Sequence, residues 1–152
     1  PAPDVLDPNV HHNNLINSIL AKIEANQAGV DDALMLDGRG FIAETNATHV
    51  FVVEQGHVLT PSTAACPEGI TRAVVLELCR ELDIPCQECN FSLTQVYRAD
   101  EMFCTGTMGE LAPVTEVDGR TIGGGETGPV TRSLSAAFAD LTAREGTVIV
   151  EH

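Results

Sequence analysis

Three stretches of this chain carry residue types suited to chemistry. The first, Pro67-Glu68-Gly69-Ile70-Thr71-Arg72, puts a glycine at the entry to a predicted helix. The second, Cys104-Thr105-Gly106-Thr107-Met108-Gly109-Glu110, is a predicted strand running into a small-residue loop. Both suit an anion: the first N–H groups of a helix point outward unpaired, the helix dipole adds positive character, glycine permits close approach and threonine hydroxyls donate. A Gly-Ile-Thr at a helix start is also what simple capping looks like. The third, Gly40-Phe41-Ile42-Ala43-Glu44-Thr45-Asn46-Ala47-Thr48-His49-Val50-Phe51, ends an apolar strand pattern on one acid. Glu44 reads either as a solvated turn acid or as a carboxylate that hydrogen-bonds a buried pyridine nitrogen.

The elements that must position these residues follow from periodicity. Leu15, Ile16, Ile19, Leu20 and Ile23 recur at helical spacing, predicting an amphipathic helix over 13–27 that Gly29 ends. Residues 33–36 and 40–43 read as strands around Asp37-Gly38, and 49–53 and 57–60 as a hairpin around Gln55-Gly56. After a Pro/Ser/Gly-rich loop at 61–69, Ile70, Val74, Leu78 and Leu82 predict a helix over 70–82. A strand near 86–91, a short helix near 92–98, a short buried strand at 102–104 and another at 111–117 follow. Pro129 suits a first helical position, with Val130, Leu134, Ala137 and Phe138 as the inner face of the last helix. Thr147-Val148-Ile149-Val150 reads as a final strand. The alternation without a strict βαβ rhythm predicts an α/β or α+β fold with a mixed, curved sheet and flanking helices.

Bulk properties narrow the partners. A chain of 152 residues, 43% hydrophobic, can bury a core. With 8 basic against 22 acidic residues and a net charge of −14, it lacks the clustered Lys and Arg that nucleic acid or an anionic membrane demands. No apolar run is long enough to span a bilayer, and no signal segment is visible, so the expected location is cytoplasmic. The five cysteines, among them Cys86 and Cys89 in a CxxC, are expected as free thiols, since a zinc site wants a second such pair. Adjacent His11 and His12 on an extended segment point opposite ways, so no metal site is expected there.

Taken in order, these segments resemble the class IV aminotransferases, which include branched-chain and D-amino acid aminotransferases and aminodeoxychorismate lyase. The likeness runs from about Pro3 to Leu141 and also takes in Asn17-Ser18-Ile19-Leu20-Ala21-Lys22-Ile23-Glu24-Ala25, Ala99-Asp100-Glu101-Met102-Phe103 and Gly128-Pro129-Val130-Thr131. The resemblance implies the coenzyme pyridoxal 5′-phosphate (PLP) and a role for each segment. Glu44 aligns with the acid on the pyridine nitrogen, which keeps the ring protonated so that it can take up carbanion electrons. Ile70 and Thr71 match donors to the phosphate, as do Gly106 and Thr107. Met108 and Gly109 border the substrate carboxylate pocket. Leu15 falls near a position that is often Tyr in branched-chain enzymes.

One departure bears on the chemistry. Counting back from the Asn17–Ala25 block puts the family's Schiff-base lysine at His11. An imidazole has no primary amine, so any PLP is expected to bind non-covalently, although His11 retains a proton-transfer capacity. Lys22, the only lysine, lies three turns along the helix and reads as a surface residue. The resemblance also places 1–10 as an interdomain linker remnant and 11–152 as the PLP-binding C-terminal domain, with no counterpart to the family's smaller N-terminal domain. The implied reaction moves an amino group from an amino acid, branched-chain or D-type, to a 2-oxo acid. The alternatives are a non-catalytic domain with a degenerate site and an aminodeoxychorismate lyase-like enzyme. Family members are typically homodimers, so self-association is the corresponding expectation.

Overall fold

A computed structural model of the chain describes residues 15–64 and 66–145. The proposed linker, His11 and the strand expected at 147–150 lie outside the described residues. The first helix, α1, spans Ile16–Ala28. Gly29 ends it in the left-handed region (φ 74°), and the Val30 N–H bonds back to the Ala25 carbonyl at 3.0 Å, a closure that glycine makes without strain. Strands β1 (Leu34–Leu36) and β2 (Ile42–Thr45) pair antiparallel, with Met35 opposite Glu44. Asp37 organises their turn by accepting the N–H groups of Arg39 and Phe41.

The main sheet is built from β3 (His49–Glu54), β4 (His57–Thr60), β5 (Cys86–Glu88), β6 (Glu101–Gly106) and β7 (Glu110–Pro113). Its order is β5-β4-β3-β6-β7. Among the described strands only the β4–β5 pairing is parallel, so the sheet is mixed, as the sequence predicts. Gln55 and Gly56, both at positive φ, make the tight β3–β4 turn. Alternation divides the side chains between two cores. Phe51, Val53 and Phe103 meet helices α2 (Ile70–Glu81) and α4 (Pro129–Arg144) through Val75, Leu78, Cys79, Leu134 and Phe138. Val50, Val52, Met102 and Cys104 face the other way, onto Ile42, Phe91, Ile122 and Val96 of α3 (Leu93–Arg98). Phe51 and Phe103 stack at 4.9 Å between ring centroids, locking the two central strands together.

Several expectations need correction. The strand at 102–104 extends over 101–106 and occupies an interior place in the sheet. The strand at 86–91 stops at Glu88, and Phe91 instead offers its carbonyl to Ile42 N–H at 3.0 Å. The run at 111–117 divides into β7 and a separate ribbon of β8 (Glu116–Val117) and β9 (Arg120–Thr121). On α2 the buried side is Thr71, Val75, Leu78 and Cys79, whereas Ile70 is 83% exposed. A strict four-residue spacing overshoots each helical turn, so the ends of such a run drift off the buried face. On α1, Ile16, Ile19, Leu20 and Ile23 form the expected apolar stripe, yet each is about half exposed and only Ala25 is buried. No described helix is long and apolar enough to cross a membrane.

Candidate coenzyme site

Glu44 stands on β2, half-buried, and no hydrogen bond to its carboxylate is found among the described residues. Burial pushes its carboxyl from an ordinary 4.5 to about 7. A buried acid left in this state gains most from a cationic N–H, which restores its charge. This geometry favours the second of the two readings of Glu44 over a solvated turn acid.

The next residue begins a chain of contacts. Thr45 Oγ1 accepts the N–H groups of Ala47 and Thr48, at 3.2 and 2.9 Å. Those two bonds occupy its lone pairs, so its proton goes to Thr48 Oγ1, 2.7 Å away. The Thr48 methyl packs against Gly106 at the end of β6, where an added Cβ would sit 3.3 Å from it. The tight Asn46-Ala47 turn thus ties the acid's strand to the start of the 106–109 loop.

His49 makes the corresponding link to α2. Its Nε2 lies 2.8 Å from the Pro67 carbonyl. A carbonyl only accepts, so Nε2 carries the proton and donates. Its ring covers Gly69 so closely that a Cβ at that position would collide with it. Burial holds the imidazole below its usual range and the nearby Arg72 charge acts in the same direction, opposed by the Pro67 bond. On the sheet, His49 pairs with Thr105 of β6.

The two anion-suited segments therefore converge on consecutive residues, Thr48 and His49. In the first, Gly69 is the N-cap of α2 and has no side chain with which to cap it, and the Ile70 and Thr71 amides lie at the positive end of the helix. Ile70's exposure fits a role carried by its backbone, while the Thr71 side chain is buried. In the second, Thr105 is fully buried and its Oγ1 has no hydrogen-bond partner among the described residues. Gly106 is half-buried, and Thr107, Met108 and Gly109 form the exposed β6–β7 turn, Met108 at 99%. No contact ties Met108 or Gly109 to the rest of the site among the described residues.

Arg72, which the motif reading left without a task, is structural. Its buried guanidinium donates to the Pro61 carbonyl at 2.8 Å and pairs with Glu88 at 2.6 Å, pinning the 61–69 loop to β5. That loop also carries Cys66, whose thiol is pushed up to about 11 by burial and by the nearby Glu44 charge. Glu101 is a second missed residue: its Oε1 and Oε2 accept the Val130 and Thr131 N–H groups at 3.0 and 2.8 Å, capping α4 from the sheet. The five cysteines are free, as expected. Lys22 sits on the surface, paired with Asp32 at 3.4 Å.

The donor set suits a phosphorylated pyridine: amides and hydroxyls for the phosphate, a desolvated acid for the ring nitrogen. Comparison with known proteins agrees. The sequence pattern of the family described as amino-transferase class IV matches residues 1–117. The chain is 53% identical over 148 residues to branched-chain-amino-acid aminotransferase-like protein 2 of Arabidopsis thaliana, covering 97% of this chain and 26% of that protein. Its fold is similar to that of the branched-chain amino acid aminotransferase of Thermobaculum terrenum in PLP form, with a TM-score of 0.91 at 36% identity, over 95% of this chain and 48% of that one. It is also similar to the T.th. branched-chain amino acid aminotransferase in complex with N-(5′-phosphopyridoxyl)-L-glutamate, with a TM-score of 0.90 at 36% identity, over 95% and 49%. The chain thus spans half or less of the length of each of these proteins.

Proposed function

Because the chain belongs to the class IV aminotransferases, we propose that residues 11–152 are the coenzyme-binding portion of a PLP-dependent amino-group transferase of branched-chain type. The observation that carries this reading is the convergence of Glu44, the α2 N-terminus and the 106–107 turn on Thr48 and His49. In it, the Ile70 and Thr71 amides and the Gly106–Thr107 segment bind the phosphate, and Glu44 holds the proton on the ring nitrogen. When bound, PLP supplies an electron sink that stabilises charge at the substrate Cα. Met108 and Gly109 border the place for an amino acid or 2-oxo acid carboxylate. The similar aminotransferase solved with a phosphopyridoxyl-glutamate adduct supports an amino acid as the partner.

His11 takes the position of the family's lysine in this reading. It can relay a proton near neutral pH but cannot capture PLP covalently, so the coenzyme exchanges freely. This feature favours a second reading, in which the domain binds PLP without turning over. A homodimer is the proposed assembly, and the half-exposed Ile16, Ile19, Leu20 and Ile23 stripe supports a covered face there; light scattering that gives a monomer refutes it.

The test is a spectroscopic PLP titration of the chain beside His11→Lys. The expected result is saturable binding by both, reversed by gel filtration in the original chain and fixed by borohydride at residue 11 in the variant. A borohydride-stable label on Lys22 alone, or no binding by either protein, contradicts the proposal.

A further inference from the structure

We propose that His49 is a positioning residue for the phosphate cradle: its imidazole sets the path of Pro67–Gly69, and thereby the aim of the Ile70 and Thr71 amides, while its own strand pairing registers that helix start against Thr105. This rests on the coenzyme reading above and assigns a residue that does not itself touch the phosphate.

Three observations carry it. The Nε2–H bond to Pro67 fixes the chain two residues before the N-cap. The ring lies flush on Gly69, the N-cap itself, leaving no room for a side chain there. The cross-strand partner of His49 is Thr105, which lies two residues before Thr107 and whose buried hydroxyl has no partner among the described residues. One residue therefore couples the two segments, its side chain holding the first and its backbone pairing with the second, and a phosphate needs both at once. Helix-start amides bind anions well only when their direction is set beforehand, because a loop that must be ordered on binding subtracts its entropy from the affinity. Glycine at 69 lets the backbone come close to the ring and, without it, leaves the segment the greatest freedom to wander.

The experiment compares pyridoxine 5′-phosphate with pyridoxine, which share the ring and differ in the phosphate. Neither carries an aldehyde, so Lys22 cannot form an adduct with them. The intact chain, His49→Ala and His49→Gln are titrated by calorimetry. Glutamine places an N–H at the reach of Nε2 and so retains the bond to Pro67. His49→Ala is expected to bind the phosphorylated compound about tenfold more weakly while its affinity for pyridoxine changes less than about twofold, the loss of one well-aimed anion contact. His49→Gln is expected to recover most of the difference. Unchanged selectivity in His49→Ala, or an equal loss for both compounds, overturns the proposal. If the alanine variant does not fold, a glutamine variant without phosphate selectivity overturns it, and one with the original selectivity supports it.

Amide exchange separates this proposal from the coenzyme reading. Ala73 N–H bonds to the Gly69 carbonyl at 2.9 Å, so its exchange reports on the N-cap with no ligand present. A chain that binds neither compound fails the coenzyme reading. His49 is then decided by whether Ala73 exchanges about tenfold faster in the alanine variant and not in the glutamine one; unchanged exchange overturns the proposal.

Discussion

The hydroxyls of Thr45 and Thr48 meet at 2.7 Å across the Asn46-Ala47 turn. On one side of this contact, Glu44 is the adjoining residue; on the other, His49. Thr45→Val keeps the shape and removes the acceptor that serves the Ala47 and Thr48 N–H groups. The expected cost is about 1–3 kcal/mol, read as a lower urea midpoint at unchanged slope. Thr48→Val, which leaves those N–H groups served, is expected to cost less.

Glu44 makes stability depend on pH in a direction opposite to most carboxylates. Its folded value of about 7 lies above the ordinary 4.5. Between these values the folded chain holds a proton that the unfolded chain has released, so stability falls as pH rises through the window. Glu44→Gln cannot ionise. Without coenzyme it is expected to match the original chain near about pH 5 and to exceed it near about pH 8. Urea midpoints that run parallel at the two pH values contradict this.

The α4 helix begins under the Glu101 carboxylate, which takes the place of an N-cap side chain that Gly128 lacks. Glu101→Ala leaves the Val130 and Thr131 amides unpaired and is expected to cost about 3 kcal/mol. Gly128→Ala places a methyl on the same carboxylate and is expected to cost about 1–3 kcal/mol. Equal thermal midpoints for these variants and the original chain would show that α4 is held by its apolar face alone.

Much of this arrangement is legible in the sequence, and the reason is locality. Gly29, Gln55-Gly56 and Pro129 mark turns and helix starts by backbone preference, and the two central strands show as short apolar runs. The site's segments are legible because a helix start and a strand-to-loop junction each occupy a short stretch. What escapes is pairing at long range. Nothing near Glu101 announces that it caps a helix nearly thirty residues on. Nothing near Arg72 shows that it turns to Pro61 and Glu88 instead of to an anion. Thr48 and His49 look like ordinary strand-entry residues until Gly106 and Gly69 are seen against them. On α1 the periodicity reveals an apolar stripe, but burial depends on what lies opposite, which a helical pattern does not encode.

The family resemblance implies that the Thr71 and Thr107 hydroxyls also reach the phosphate, which makes a further prediction. Thr71→Val and Thr107→Val are each expected to weaken pyridoxine 5′-phosphate by about five- to tenfold, the worth of one charge-assisted hydrogen bond, with little effect on pyridoxine. Thr107 is exposed, so its variant should retain the stability of the original chain. A variant that binds both compounds as before removes that residue from the cradle.

The central claim is that Ile70, Thr71, Gly106 and Thr107 hold one phosphate while Glu44 meets the ring. The most direct measurement is a two-dimensional amide NMR titration of the isotopically labelled chain with PLP, repeated with inorganic phosphate. The account predicts saturable shifts concentrated at the amides of these four residues with both ligands, and shifts around Glu44 with PLP only. Saturable shifts elsewhere on the molecule, or PLP shifts that leave the 70–71 and 106–107 amides unmoved, would contradict it.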